Sequence, residues 1–288
     1  MASSFAATIT AWYAAFARDL PWRAAGVSPW GVLVSEVMLQ QTPAARVIPS
    51  WEQWLARWPT PAALAADSPG EAVRAWGRLG YPRRALRLHE AAVAIVDRHG
   101  GAVPAGVEEL TALAGIGSYT AAAVATFGFG ARHAVLDTNV RRVYARAFDG
   151  AADATTSAPT TAERKSALAR VPIADPAAYS VAVMELGALV CTARAPGCDR
   201  CPVSSTCRWL RAGRPEGGRP RPVQTYAGTD RQVRGRLLAV LRDAAGAVEQ
   251  LELDAAWDDD VQRERALAGL LADGLIQPAG PGQYRLPA

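Results

Sequence analysis

The sequence predicts an all-α protein with a small C-terminal unit of helices and a hairpin. In the first part of the chain, apolar residues recur at three- and four-residue spacing, which is the spacing of one face of a helix. Such runs cover residues 51–58, 71–79 and 84–100. Proline and glycine residues separate the runs, and no segment up to about residue 210 alternates strictly enough to predict a strand.

The composition changes after the predicted helical part. Residues 208–222 contain five arginines, three prolines and three glycines but only one glutamate, which is typical of a linker with a basic face. After this linker come two stretches with the pattern of amphipathic helices, and residues 275–287 have the pattern of a two-stranded hairpin. Helices followed by a hairpin are typical of a winged helix. We therefore expect a helical domain over residues 1–210, a basic linker over 211–228 and a winged-helix-like unit over 229–288.

Composition and charge limit the classes of protein to which this chain can belong. Half of the 288 residues are hydrophobic and 20% are charged, so the chain can bury a core and is not expected to be disordered. The formal net charge of +4 suits an anionic partner, although many basic proteins have no such partner. No stretch approaches the roughly 20 apolar residues that cross a bilayer, and the N-terminus lacks the basic start of a signal peptide. We therefore expect a cytoplasmic protein that does not contact a membrane.

All four cysteines lie in one short loop. Cys191, Cys198, Cys201 and Cys207 follow the spacing C-x6-C-x2-C-x5-C. In a reducing compartment such a cluster indicates a metal site more often than disulfides. Ligation by four thiolates suits either zinc or a [4Fe–4S] cluster. Structural zinc sites usually use two close cysteine pairs, whereas this loop has one tight pair and two more widely spaced cysteines.

Two further motifs suggest a site that binds a phosphate and performs acid–base chemistry. Residues 113–121 place Gly115 and Gly117 on either side of one apolar residue, between two predicted helices. Such a turn can direct backbone N–H groups at a phosphate, or it can be an ordinary corner between helices. Downstream, Asp137 ends an apolar run and opens a helix, which is the position of a helix N-cap.

Glu36 lies in a predicted helix that begins with Ser28 as N-cap and Pro29 as first residue. Most of its neighbours at helical spacing are apolar, including Val32 and Leu33. Desolvation by such neighbours favours the neutral form of a carboxyl group and raises its pKa, as a general acid working near neutral pH requires. The alternative is a glutamate at the rim of the helix that reaches solvent.

Taken together, these motifs resemble the MutY branch of the endonuclease III-like, helix-hairpin-helix DNA glycosylases. The resemblance covers about residues 8–210, with the motifs in the family's order, and it includes the spacing of the cysteine loop. The motifs that carry it are LPWR (residues 20–23), SEVMLQQT (35–42), RLGY (78–81), the glycine hairpin, LDTNV (136–140), and MELGALVC (184–191) leading into the cysteine loop.

The resemblance implies a helix-hairpin-helix glycosylase fold, a [4Fe–4S] cluster on the four cysteines and a set of catalytic roles. Glu36 would protonate the flipped adenine, and Asp137 would stabilise the positive charge that develops on the sugar. Tyr119 stands where the bifunctional lyases of the superfamily have a lysine that forms a Schiff base. Because a phenol cannot form one, we expect a monofunctional enzyme.

The resemblance also implies residues that contact DNA. In the family, the residues matching Gln41 and Tyr81 enter the base stack and help to expel the target base. Without the resemblance, they could equally be a polar group at a helix end and a packed aromatic ring. The expected set of DNA- and base-binding residues is Arg23, Gln41, Tyr81, Gly115, Gly117 and Asn139.

The chain departs from the family pattern at three points. Arg78 replaces the first glycine of the usual GLGY motif, which affects the pose of Tyr81. Val181 stands ten residues before the first cysteine, where the family commonly has Gln or Glu able to hydrogen-bond adenine. The C-terminal unit is about half the size of the family's usual domain for inspecting 8-oxoguanine.

The leading expectation is therefore a monomeric adenine DNA glycosylase that acts on double-stranded DNA with adenine opposite 8-oxoguanine or guanine. A glycosylase of the same fold that removes another base, such as thymine from a T·G mispair, is the first alternative. A non-enzymatic DNA-binding protein with a redox-sensing cluster is the second. The joint presence of Glu36, Asp137 and Tyr119 argues against the second, because a pure binder does not need them.

Overall fold

The computed structural model describes residues 2–217 and 226–288, so residues 218–225 of the predicted linker lie outside the described part. Residues 2–217 contain helices and no strand, as the sequence predicts. Their helices are α1 (Ala2–Phe16), α2 (Pro29–Leu39), α3 (Ala44–Arg57), α4 (Pro61–Ala65), α5 (Pro69–Trp76), α6 (Arg83–His99), α7 (Val107–Thr111), α8 (Ser118–Phe129), α9 (Thr138–Tyr144), α10 (Thr161–Arg170), α11 (Pro176–Leu189) and α12 (Arg208–Arg211). A short π-helical stretch, Ala145–Asp149, extends α9.

The C-terminal part adds three helices and a small sheet. The order along the chain is α13 (Asp230–Asp243), β1 (Val248–Glu249), α14 (Gln250–Asp254), α15 (Asp260–Ala272), β2 (Gln277–Gly280) and β3 (Gln283–Arg285). β3 lies in the middle of the sheet and pairs antiparallel with both β1 and β2. The predicted hairpin is therefore confirmed, whereas β1 and α14 were not predicted, because elements of two and five residues are too short to show a period.

The chain forms two compact units that are not continuous in sequence. The first consists of Met1–Val32, Ala105–Thr111 and Ile116–Arg221, and the second of Leu33–Pro104, Ala112–Gly115 and Pro222–Ala288. This division differs from the predicted ranges 1–210, 211–228 and 229–288, which follow composition along the chain. Those ranges stay a prediction.

The core of the first unit forms around α11. This helix is apolar on nearly all sides, and a helix of that kind is stable only when it is surrounded. Ala182, Val183 and Leu186 have no exposed surface, and α11 packs against both α9 and α1. The first unit thereby fixes α9, whose N-terminus carries Asp137.

The second unit has a tryptophan-rich core. The ring of Trp54 lies edge-on to the rings of Trp58 and Trp76, with centroids 4.6 and 5.7 Å away. Edge-to-face packing suits the quadrupoles of aromatic rings. α4 and α5 both pack against α6, and α13 packs against α15.

Within the second unit, the C-terminal residues pack on α5. The backbone N–H of Gly70 donates to the carbonyl oxygen of Pro287 at 2.8 Å, and a Cβ at Gly70 would collide with that oxygen. Arg74 donates to the carbonyl oxygen of Ala244 at 2.9 Å, and Arg242 donates to that of Val73 at 3.0 Å. The backbone carbonyls of Ala244 and Pro287 therefore accept hydrogen bonds from α5, and Arg242 of the C-terminal segment donates one to α5.

Among the described residues, no helix is both long and apolar enough to cross a membrane.

Candidate active site and metal centre

Glu36 lies on α2, which begins as the sequence predicts. Ser28 caps the helix, since its Oγ accepts a hydrogen bond from the N–H of Gly31 at 3.2 Å, and Pro29 is the first helical residue. Glu36 is only 6% exposed, and Leu33 and Val37 beside it are also buried. The alternative of a rim glutamate reaching solvent is therefore wrong, and a buried carboxyl group is what a general acid needs.

The glycine hairpin lies between α7 and α8. Gly115 has a left-handed backbone with φ of +75°, and a Cβ there would lie 2.9 Å from the Cβ of Arg87, so two constraints favour glycine. Gly117 occupies the N-cap position of α8 in an extended conformation, and Tyr119 lies in the first turn of that helix. The first turn of a helix orients backbone N–H groups outward, which suits a phosphate.

Asp137 is the N-cap of α9, as predicted. Its Oδ1 accepts from the N–H of Val140 at 2.6 Å, and its Oδ2 accepts from the side-chain amide of Asn139 at 2.8 Å. Burial raises the pKa of Asp137 above its ordinary value, and these two hydrogen bonds partly offset that rise. A half-buried carboxylate held at both oxygens has a fixed orientation, as a group that stabilises charge on a substrate requires.

A chain of hydrogen bonds leads from Asp137 to the first cysteine. The Asn139 amide oxygen accepts from Nη2 of Arg142 at 2.8 Å, and Nε of Arg142 donates to the carbonyl oxygen of Cys191 at 2.7 Å. Arg142 also donates to the carbonyl oxygen of Gly187 at 2.8 Å, and a Cβ at Gly187 would lie 2.7 Å from the Cβ of Asn139. The backbone of α11 therefore has to approach Asn139 closely.

The four cysteines line one cavity with about 290 Å³ of empty space, part of it open to solvent. All four thiols are free, and the wall is completed by residues that include Arg146, Val190 and Trp209. Among the described residues, no three His, Cys, Asp or Glu side chains converge closely enough to hold a single metal ion.

The thiols of this cavity are partly buried. Burial raises the pKa of Cys201 to about 11 and that of Cys191 above its ordinary value. Arg146 opposes this effect at Cys191, because its guanidinium lies 3.5 Å from the Cys191 sulfur and also donates to the carbonyl oxygen of Thr192 at 2.7 Å. The cavity therefore carries a cationic group that favours a thiolate at Cys191.

Gln41 and Tyr81 share an unusual backbone conformation. Their φ angles are +57° and +48°, in the left-handed region that residues other than glycine rarely adopt. Gln41 is exposed just after the end of α2, and Tyr81 is 50% exposed, so neither side chain is buried. Strained, exposed side chains of this kind are common at sites that contact ligands.

Arg23 is held by a buried acid that the sequence analysis did not single out. Nη1 of Arg23 donates to Glu185 at 2.9 Å, and Arg18 binds the same carboxylate through two nitrogens at 2.6 and 2.8 Å. Glu185 has no exposed surface. Burial alone would raise the pKa of Glu185, but the hydrogen bond from Arg18 and the charge of Arg23 outweigh it and lower the pKa to about 2. Arg23 is thus fixed through an ionised, buried partner.

Among the buried arginines that the sequence did not reveal are Arg84, Arg142 and Arg146. Each lies in a helix among apolar residues, and that placement was the available signal, because a buried guanidinium needs several acceptors. Their acceptors are mostly backbone carbonyls far away in sequence, which residue patterns do not reveal.

Comparison with known proteins gives matches over most of the chain. Residues 34–169 match the family model described as "HhH-GPD superfamily base excision DNA repair protein". The adenine DNA glycosylase of Mycobacterium tuberculosis (strain CDC 1551 / Oshkosh) is 55% identical over 283 residues, which cover 97% of this chain and 92% of that protein.

Two solved structures are similar in fold. A thermostable thymine-DNA glycosylase superposes with a TM-score of 0.68 at 26% identity, covering 73% of this chain and 97% of that one. A non-covalent endonuclease III–DNA complex superposes with a TM-score of 0.62 at 21% identity, covering 74% of this chain and 98% of that one.

Proposed function

Because the chain belongs to the HhH-GPD superfamily of base excision DNA repair proteins, we propose that it is a monofunctional adenine DNA glycosylase. It hydrolyses the N-glycosidic bond of adenine mispaired with 8-oxoguanine or guanine in double-stranded DNA. The observation that carries the proposal is 55% identity to an adenine DNA glycosylase over 97% of the chain. The buried position of Glu36 and the fixed orientation of Asp137 support it.

The two carboxyl groups divide the chemistry. Glu36 protonates a ring nitrogen of the extruded adenine, so the base leaves as a neutral molecule when the bond to the sugar breaks. The sugar then carries positive charge, which the Asp137 carboxylate stabilises until water adds to the anomeric carbon. The proton released by that water restores the acid, and the product is an intact abasic site. Tyr119 forms no Schiff base, so no strand cleavage follows.

The remaining residues bind and orient the substrate. Gln41 and Tyr81 enter the base stack beside the target, which favours extrusion of the base. Arg23, fixed by Glu185, reaches the extruded adenine. Gly115 and Gly117 let the hairpin approach the phosphate backbone, and Asn139 contributes to the DNA-binding set while it orients Asp137.

The four cysteines hold a [4Fe–4S] cluster in this proposal. Support comes from the all-thiol donor set and from a single cavity that all four cysteines line. When bound, the cluster would cross-link the loop between Cys191 and Cys207, and it would take no part in the glycosidic chemistry assigned to Glu36 and Asp137. Arg146 lines the same cavity and would favour the cluster's thiolate ligands, and the charge of Arg142 would favour a thiolate at Cys191 in the same way.

We also propose that the protein acts as a monomer in the cytoplasm and that residues 229–288 form a winged-helix-like unit. The helices and three-stranded sheet of that segment support the second point. Its small size does not argue against an adenine substrate, because the M. tuberculosis enzyme aligns over 92% of its own length.

A thymine glycosylase is the second candidate. The similarity to a thermostable thymine-DNA glycosylase favours it, as does Val181, which cannot hydrogen-bond adenine. Single-turnover release of adenine and thymine from A·8-oxoguanine, A·G and T·G duplexes separates the two. We expect adenine release from the first two duplexes, and faster release of thymine would instead support the second candidate.

A further inference from the structure

Two exposed residues that are expected to contact DNA have a backbone conformation that costs free energy. Gln41 and Tyr81 are two of three non-glycine residues with positive φ in residues 2–217 and 226–288. For L-residues the left-handed region is disfavoured, and such a conformation persists only where the surroundings enforce it. The two residues lie in separate segments of the same compact unit, one after α2 and one before α6.

One buried side chain binds both segments. Arg84, in the first turn of α6, is 7% exposed. Its Nη1 donates to the end of α2, and its Nη2 donates mainly to the turn that leads to Tyr81. The acceptors are the carbonyl oxygens of Val37 (2.8 Å), Met38 (3.0 Å) and Gln40 (2.6 Å) for Nη1, and Thr42 Oγ1 (3.0 Å), Gly80 O (3.0 Å) and Leu79 O (3.4 Å) for Nη2.

Arg84 binds the chain neighbours of both strained residues. Gln40 and Thr42 are the chain neighbours of Gln41, and Gly80 is the chain neighbour of Tyr81. The guanidinium carbon of Arg84 also lies 5.6 Å from the Tyr81 ring centroid and 5.1 Å from that of Trp76. The two segments are joined directly as well, since Thr42 Oγ1 donates to the carbonyl oxygen of Leu79 at 3.3 Å. A movement of either segment would break bonds that hold the other.

We propose that Arg84 is a positioning residue that fixes the backbone conformation and relative position of Gln41 and Tyr81, so that both side chains enter the base stack together. The proposal rests on the proposed function, in which these two side chains contact DNA. The planar fork of an arginine can bind two sets of acceptors at once, whereas a lysine ammonium donates from a single point. If only a buried positive charge were needed, lysine could replace Arg84. If the two segments must be joined by the guanidinium, lysine could not replace it.

The experiment measures base extrusion without requiring base release. The complete, cluster-containing protein is mixed with a duplex that carries 2-aminopurine next to the mispaired adenine, because this base fluoresces when the stack opens. Arg84→Met and Arg84→Lys are compared with wild type and with Arg98→Met, a matched change of an exposed arginine on the same helix. Far-ultraviolet circular dichroism checks that each variant is folded.

We expect both Arg84 variants to slow the fluorescence rise by about tenfold or more, as the loss of a coupled contact between neighbouring residues allows. Arg98→Met should stay within about twofold of wild type. An extrusion rate equal to wild type in Arg84→Lys would overturn the proposal, because the charge alone would then suffice.

If neither Arg84 variant folds, Thr42→Val removes one acceptor of the Arg84 guanidinium while keeping the side-chain shape. It should slow extrusion in the same direction, and an unchanged rate in that folded variant would equally overturn the proposal.

A double-mutant comparison separates positioning from a general loss of structure. In a Gln41→Ala/Tyr81→Ala background there is nothing for Arg84 to position, so Arg84→Met should slow extrusion by no more than about twofold further. An equal slowing in both backgrounds would show that Arg84 acts elsewhere.

The readouts also separate this proposal from the proposed function. If wild type opens the stack and releases no adenine, the adenine glycosylase assignment fails while the role of Arg84 can still be judged from fluorescence. If wild type releases adenine and the Arg84 variants extrude the base normally, the positioning role fails and the function stands.

Discussion

The buried carboxylate of Glu185 offers the most quantitative test of how this structure is held together. Glu185 has no exposed surface and binds Arg18 and Arg23. Replacing it by glutamine keeps the shape of the side chain but removes the charge that both guanidinium groups face. We therefore expect Glu185→Gln to destabilise the first compact unit and to release Arg23 from its fixed position.

The size of the effect follows from the pKa of Glu185, which lies at about 2 in the folded protein against an ordinary value of 4.5. A tenfold change in proton affinity is worth about 1.4 kcal/mol, so the folded state stabilises the ionised carboxylate by about 3 kcal/mol. Breaking a buried ion pair typically costs about 3–5 kcal/mol, which agrees. Arg18 is 40% exposed at its side chain, so Arg18→Met should cost less, about 1 kcal/mol.

Thermal unfolding followed by circular dichroism at pH 7 measures this directly. For a chain of this length, a loss of about 3 kcal/mol lowers Tm by roughly 5 °C. Because the pKa is lowered by folding, the contribution is fully present above about pH 5 and is lost as pH falls towards 2. The difference in Tm between wild type and Glu185→Gln should therefore shrink below pH 5. A difference under about 2 °C at pH 7, or one that grows in acid, would show that the Glu185 charge does not stabilise the folded protein.

Three further predictions concern the cysteine loop, the reaction product and the C-terminal segment. Metal analysis of anaerobically purified protein should give about four irons per chain, as one [4Fe–4S] cluster requires, and one zinc per chain would contradict the proposed cluster. Borohydride should trap no covalent adduct with DNA, because Tyr119 cannot form a Schiff base, and a strong active-site adduct would make the enzyme a lyase. Gly70→Ala should lower the free energy of unfolding by about 1–3 kcal/mol, because its Cβ would collide with the Pro287 carbonyl oxygen, whereas an unchanged Tm would show that the C-terminal segment does not pack on α5 as described.

The sequence was sufficient to predict helices, helix caps and the hairpin, which depend on residues close together in the chain. Helical spacing predicted the helices, and the N-cap roles of Ser28 and Asp137 were confirmed. The hairpin near the C-terminus was confirmed as well. It could be predicted because its turn residues are adjacent in the chain. Each of these features depends on residues within a few positions of one another.

Features that depend on distant backbone atoms could not be predicted. Arg84 binds carbonyl groups more than 40 residues away, and carbonyl groups carry no sequence signature. Glu185 meets Arg18 and Arg23 only because α1 packs against α11. The two discontinuous units also depend on packing between distant segments, which composition along the chain does not record.

The role of Glu36 as the general acid is tested by single-turnover adenine release by Glu36→Gln on an A·8-oxoguanine duplex, with duplex binding measured in parallel. Glutamine keeps the shape of the side chain and has no acidic proton to donate. General acid catalysis contributes about 10²- to 10⁴-fold, so we expect adenine release to fall by at least 100-fold while binding of the mispaired duplex stays close to wild type. Release at nearly the wild-type rate would show that Glu36 is not the acid and would contradict the proposed mechanism.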